Sequence, residues 1–66
     1  MIENYKDFVI TSEQVAEGFV ARIRRRDNKP FVVARAEKQE FSTPEYADES
    51  DAMREARSLA NSASLP

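Results

Sequence analysis

The chain contains no cysteine, no histidine and no tryptophan, only one glycine, Gly18, and no apolar run longer than Phe31-Val32-Val33-Ala34. Each absence removes a class of protein. Without cysteine there is no disulfide framework, and without cysteine or histidine the usual zinc ligand sets are gone. The same two residues are the commonest general base and the strongest side-chain nucleophile, so catalysis that relies on either is excluded as well. A single glycine cannot build a loop that cradles phosphates. The apolar runs fall far short of the ~20 residues of a membrane-spanning helix. The opening Met-Ile-Glu-Asn-Tyr-Lys-Asp lacks the basic-then-apolar pattern of a secretory signal, and the expected location is cytoplasmic.

What remains is small and highly charged: 66 residues, 33% of them charged, with a net charge of −2. One domain is expected over residues 1–61, followed by a flexible tail at 62–66. Of the hydrophobic residues nine are alanine, which leaves a thin core. Ordering a chain costs about 1.5 kcal/mol per residue, and small chains offset this with disulfides, metal or oligomerisation. Composition leaves only the last. Charge divides unevenly, with seven Lys/Arg against five Asp/Glu in residues 1–36 and three against seven in residues 37–66. A general nucleic-acid coat would need a strongly basic domain, so nucleic acid is the less favoured partner, although one basic face is permitted.

Two stretches alternate as strands do. Tyr5–Thr11 is β-rich with Phe8 and Ile10 on one side, and Phe19–Arg26 sets Phe19, Ala21 and Ile23 against Val20, Arg22, Arg24 and Arg26. A turn at Glu17-Gly18 predicts Val15 opposite Val20, Glu13 opposite Arg22 and Thr11 opposite Arg24. Asp27-Asn28-Lys29-Pro30 is a second turn, with Asn28 suited to the left-handed conformation. Pairing across it sets Arg26–Phe31, Arg24–Val33 and Arg22–Arg35 on one face, with Ile23–Ala34 and Ala21–Ala36 on the other. Residues 37–40 break the alternation, and Phe41 falls out of phase with it.

A helix follows, starting either at Glu49 with Asp48 as cap or one turn earlier with Thr43 as cap and Pro44 at the first helical position. Ala52, Met53, Ala56, Leu59 and Ala60 form its apolar stripe, and Glu49 and Asp51 suit the positive end of its dipole. The small residues on this stripe and on the sheet predict close packing with no ligand cavity between them. The expected fold is α+β, a three-stranded antiparallel meander packed on one C-terminal helix as a two-layer sandwich.

One helix covers one side of such a sheet. The other side is expected to carry Val9, Val15, Val20, Phe31 and Val33 with Arg22, Arg24, Arg26 and Arg35. Three readings apply. The valines supply strand propensity under arginine stems; or the face pairs with a second copy through Val9, Val20, Phe31 and Val33; or the arginines contact nucleic acid or an acidic partner while Phe31 stacks on a base. Self-association is favoured, giving a homodimer or a complex with another protein. No catalytic residue, cofactor or metal site is expected. The carboxylates Glu45, Asp48, Glu49, Asp51 and Glu55 lack calcium-loop spacing and are accounted for by the start of the helix. Lys6, Lys29 and Lys38 lie in polar surroundings, and the Ser/Thr hydroxyls have no evident activating base.

The order of these elements has a counterpart. The Gly18-Phe19-Val20-Ala21-Arg22-Ile23 strand, the Asp27-Asn28 turn, Phe41-Ser42-Thr43 and the run from Tyr46 to Arg57 resemble small bacterial HicB-like domains. Those have a G-f/w-x-A-x-I strand, a turn and an f-x-T/D-x-x-E-A-x-x-x-A helix opening. A similar pattern occurs in sheet-based integrase arm-type DNA-binding domains. The first resemblance implies an antitoxin-like module that binds a partner protein and dimerises. The second implies DNA contact through Arg22, Arg24 and Arg35.

Overall fold

The alternating stretches form a curved antiparallel sheet, and the alanine-lined helix lies across it. The structure is a computed structural model and describes residues 1–65. In chain order it contains β1 (Ile2–Tyr5), β2 (Phe8–Val15), β3 (Gly18–Arg25), β4 (Phe31–Val33), β5 (Ala36–Lys38), β6 (Glu40–Ser42) and α1 (Glu49–Ser62). The main sheet has four strands in the order β1-β2-β3-β6, and β4 and β5 form a separate hairpin. The fold is therefore α+β with one C-terminal helix on an antiparallel sheet, but the sheet has a fourth strand and the last part of the expected meander is replaced.

The first difference lies at the N-terminus. The stretch expected to be one strand from Tyr5 is broken by a two-residue turn, with Lys6 at φ 54° and Tyr5 paired to Phe8. The second is a slip of two residues between β2 and β3. Val15 pairs with Gly18, Glu13 with Val20, Thr11 with Arg22 and Val9 with Arg24. The turn is thus Ala16-Glu17, and Gly18 lies in the strand. Its φ is not positive. It is required for close approach: a Cβ there would run into the Tyr46 carbonyl oxygen and lie 3.0 Å from its carbon. A slip of two keeps every side chain on its expected face, because the strand period is two.

The largest correction concerns residues 31–36, which do not pair with β3. Ala34 and Arg35, at φ 51° and 70°, form a tight turn that pairs Val33 with Ala36 and Phe31 with Lys38. Phe31 and Val33 are buried in the core. Phe31 stands 4.9 Å from Phe8 and 5.0 Å from Phe41, so the hairpin shares the helix side of the sheet. Burying a Phe and a Val is worth about 1.5–3 kcal/mol each, and aromatic pairs add about 0.5–1.5 kcal/mol each. Left-handed backbone at two non-glycine residues costs about 1–2 kcal/mol apiece. Burial outweighs strain, and the chain folds over the helix side instead of extending the sheet. The vacated edge of β3 is taken by β6, which places Phe41 beside Ile23 and explains its phase.

Beyond β6 the chain continues along β3. Thr43 is buried, donates its N–H to the Ala21 carbonyl (2.9 Å) and accepts the Ala21 N–H on Oγ1 (3.0 Å). Tyr46 and Phe19 exchange both backbone hydrogen bonds at 2.7 and 2.8 Å. These bonds hold residues 43–46 extended, so the helix starts at Glu49 and not at Pro44. Asp48 occupies the cap position, but its side chain makes no cap bond. Ala52, Met53, Ala56 and Ala60 are buried against Ile10, Ala21 and Ile23, and Leu59 is half-buried. Arg57 bonds Glu3 at 3.0 Å, fastening the helix to β1. After the helix, Ser64 and Val32 exchange two backbone bonds of 2.9 Å. This pairing ties a segment expected to be a flexible tail; the last residue of that tail, Pro66, lies outside the described residues.

Candidate interaction surface

The side chains that point away from the helix follow from the register. One row across the sheet is Asn4, Val9, Arg24 and Glu40; the next is Ile2, Thr11, Arg22 and Ser42; a third holds Glu13 and Val20. Among the described residues nothing covers this face. Ile2 is 72% exposed, and Val9, Thr11, Val15 and Val20 are half-buried by their neighbours within the sheet. A shallow depression of about 340 Å³ is lined by Ile2, Val9, Thr11, Arg22, Arg24 and Glu40.

Charge on the face is balanced. Arg22 lies 2.8 Å from Glu13 and 3.7 Å from Glu40, bracketed by carboxylates on the two adjoining strands. Arg24, one row away, is exposed and makes no ion pair among the described residues. Two guanidinium groups thus stand among two carboxylates, and the local charge is zero.

Of the residues expected here, Val9, Val20, Arg22 and Arg24 are brought together. Phe31 and Val33 are not, because the β4–β5 hairpin buries them. Arg35 sits in the tip of that hairpin, away from the sheet. Arg26 lies past the end of β3, with its backbone N–H on the Asp7 carbonyl at 3.0 Å and its guanidinium 3.7 Å from the Asp7 carboxylate. Arg25 faces the other way, as strand parity requires, and binds Asp27 at 2.7 Å and the Pro30 carbonyl at 3.3 Å. Its Nε is buried without a partner among the described residues. The Lys29 backbone N–H donating to Asp27 at 3.1 Å, ahead of the attraction of Arg25, holds the Asp27 carboxyl below its ordinary pKa. Arg25 thereby locks the 26–30 loop, and Arg26 ties its start to Asp7.

Ile2, Thr11, Glu40 and Ser42 also line the face. Ile2 and Asn4 alternate with Glu3 and Tyr5, a weak strand signal over four residues; Glu40 and Ser42 carry none, because their strand follows an excursion that resets the phase. The carboxylates near the helix are dispersed: Glu49 accepts from Ser12 Oγ at 2.5 Å and Asp51 lies 3.2 Å from Arg54. No helix among the described residues is long and apolar enough to cross a membrane.

Fold and surface together define a small α+β domain with one shielded and one bare sheet face. Compared with known proteins, the chain matches no family model, no curated protein and no solved structure.

Proposed function

We propose that the chain is a non-enzymatic, cytoplasmic interaction domain that pairs with a second copy of itself through the bare sheet face. The observation that carries this reading is the cluster of Ile2, Val9, Thr11 and Val20 on a charge-neutral face left uncovered in a chain with a thin core. A monomeric antiparallel sheet turns polar side chains to water, and here Ile2, Val9 and Val20 take three of the ten positions in the three rows. Strands of four, eight, eight and three residues, at ~3.3 Å per residue and ~4.8 Å between strands, give a face of about 360 Å² per copy, or about 700 Å² buried in total, the size of a weak, reversible interface. The HicB-like resemblance supports partner binding and dimerisation. Nucleic acid is less well supported, since Arg26 and Arg35 lie elsewhere and Glu13 and Glu40 neutralise Arg22.

Sedimentation equilibrium over micromolar concentrations tests the reading. The expected result is a species of twice the 7.5 kDa chain mass, dispersed by Val9→Lys and Val20→Lys with helical circular dichroism unchanged. A 7.5 kDa species at every concentration refutes it. A salt-dependent shift of duplex or single-stranded DNA by the monomer would move the assignment to nucleic acid.

A further inference from the structure

We infer that the two copies meet about a two-fold axis passing between Thr11 and Arg22, which sets Arg24 of each copy over Glu13 of the other. This inference rests on the self-association proposed above and specifies its geometry. The starting point is an uneven distribution of charge on a neutral face. Arg22 holds two carboxylates, Glu13 at 2.8 Å and Glu40 at 3.7 Å, while Arg24 holds none among the described residues. A carboxylate has about four acceptor positions, so Glu13 retains capacity after bonding Arg22. Both Glu13 and Arg22 side chains are about half exposed, at 52% and 45%.

The register supplies the rest. Glu13 is on β2 opposite Val20, and Arg24 is on β3 opposite Val9, with the Thr11–Arg22 pair midway between these two rows. The line from Glu13 to Arg24 therefore has its midpoint between Thr11 and Arg22, at the centre of the face. A two-fold axis lying in the interface through that midpoint, at right angles to the line, exchanges the two residues. Each dimer then gains two identical Arg24–Glu13 pairs, as a closed isologous interface requires. With the same strand spacings, the axis brings Val9 of one copy toward Ile2 of the other, so the most exposed aliphatic residue of the face is covered too. Arg22 stands near the axis, neutralised by its own carboxylates. The strands of the two sheets remain within a few tens of degrees of one another, the aligned class of sheet packing.

Charge reversal tests this arrangement by sedimentation of the full chain. Arg24→Glu and Glu13→Arg, each alone, are expected to raise the dimer dissociation constant about tenfold or more, since each sets like charges together twice per dimer. Mixed in equal amounts, the two variants are expected to form a heterodimer at concentrations where neither self-associates, because every reversed charge then faces its opposite. The double variant is expected to recover homodimerisation. Far-UV circular dichroism of each variant confirms folding, as both positions are on the surface. A wild-type dimer whose strength is indifferent to both reversals overturns this axis and leaves self-association standing. Loss in each single variant without recovery in the mixture overturns it as well. A wild-type chain that is monomeric throughout removes the underlying reading itself.

Discussion

Gly18→Ala separates two opposing effects by sign. Gly18 sits at the start of β3 without positive φ. On propensity alone, replacing a strand glycine by alanine stabilises by about 0.5–1 kcal/mol. The structure predicts the reverse. The new Cβ would meet the Tyr46 carbonyl oxygen, with the Tyr46 carbonyl carbon at 3.0 Å and Glu45 Cγ at 3.3 Å. The side chain of Glu45 can swing aside, but the Tyr46 carbonyl accepts the Phe19 N–H at 2.7 Å and cannot move without breaking that bond. Its reciprocal bond, from the Tyr46 N–H to Phe19, goes with it. Two hydrogen bonds at about 0.5–1.5 kcal/mol each, less the propensity gain, leave a net loss centred on about 1 kcal/mol. That is an appreciable part of the about 3–10 kcal/mol expected for a chain of this length. Urea unfolding followed by circular dichroism reads it as a midpoint lowered by about 1 M, given m-values near 1 kcal/mol/M. Hydrogen exchange of the Phe19 and Tyr46 amides is expected to accelerate beyond the global change. A midpoint that stays constant or rises would refute the close-approach role of Gly18.

Three further outcomes are expected. Replacing Ala34-Arg35 by Asn-Gly, residues suited to two successive left-handed positions, should stabilise the hairpin by about 1 kcal/mol and raise Tm by about 4–8 °C; a fall in calorimetric Tm would contradict the turn geometry. Phe31→Ala should cost about 3–5 kcal/mol and lower Tm by at least about 12 °C; an unchanged Tm would return Phe31 to the solvated face. The folded-state pKa of Asp27 is depressed, so its contribution is complete above the unfolded value, about 4, and is lost as pH falls through the folded value. An NMR titration of the Lys29 amide should therefore show a midpoint below the ordinary carboxylate value, and a midpoint at or above it would exclude the Asp27–Lys29 bond as its cause.

The parts of the fold legible in the sequence are those where periodicity is long. Residues 8–15 and 18–25 alternate over a full strand each, and 52–60 keep one apolar stripe, so the sheet face and the helix face are both readable. The faces remain right even though the pairing is displaced by two residues, because parity survives an even slip. Glycine misleads at position 18, where the usual association with turns yields to a requirement for space beside Tyr46. The hairpin at 31–38 is hidden because its turn residues, Ala34 and Arg35, are not turn formers and sit there under strain offset by the burial of Phe31. The one cue is Phe41, out of phase with the expected core positions Ala34 and Ala36. For the surface, Val9, Val20, Arg22 and Arg24 lie on long strands and were readable; Phe31, Val33, Arg26 and Arg35 depended on the hidden turn and on the end of β3. The β1 strand is too short for its alternation to stand out.

The insertion of the β4–β5 hairpin between β3 and β6 also orders events in time. Neighbours β1, β2 and β3 are joined by two-residue turns and can zip together locally, whereas β6 reaches β3 only after residues 26–39 have closed into a loop. Loop closure before any reward delays such contacts. The β2–β3 ribbon, which carries Val9, Glu13, Val20 and Arg24, is thus expected to assemble ahead of the strand that seals its far edge, so that the bare face takes shape before the core beneath it is finished.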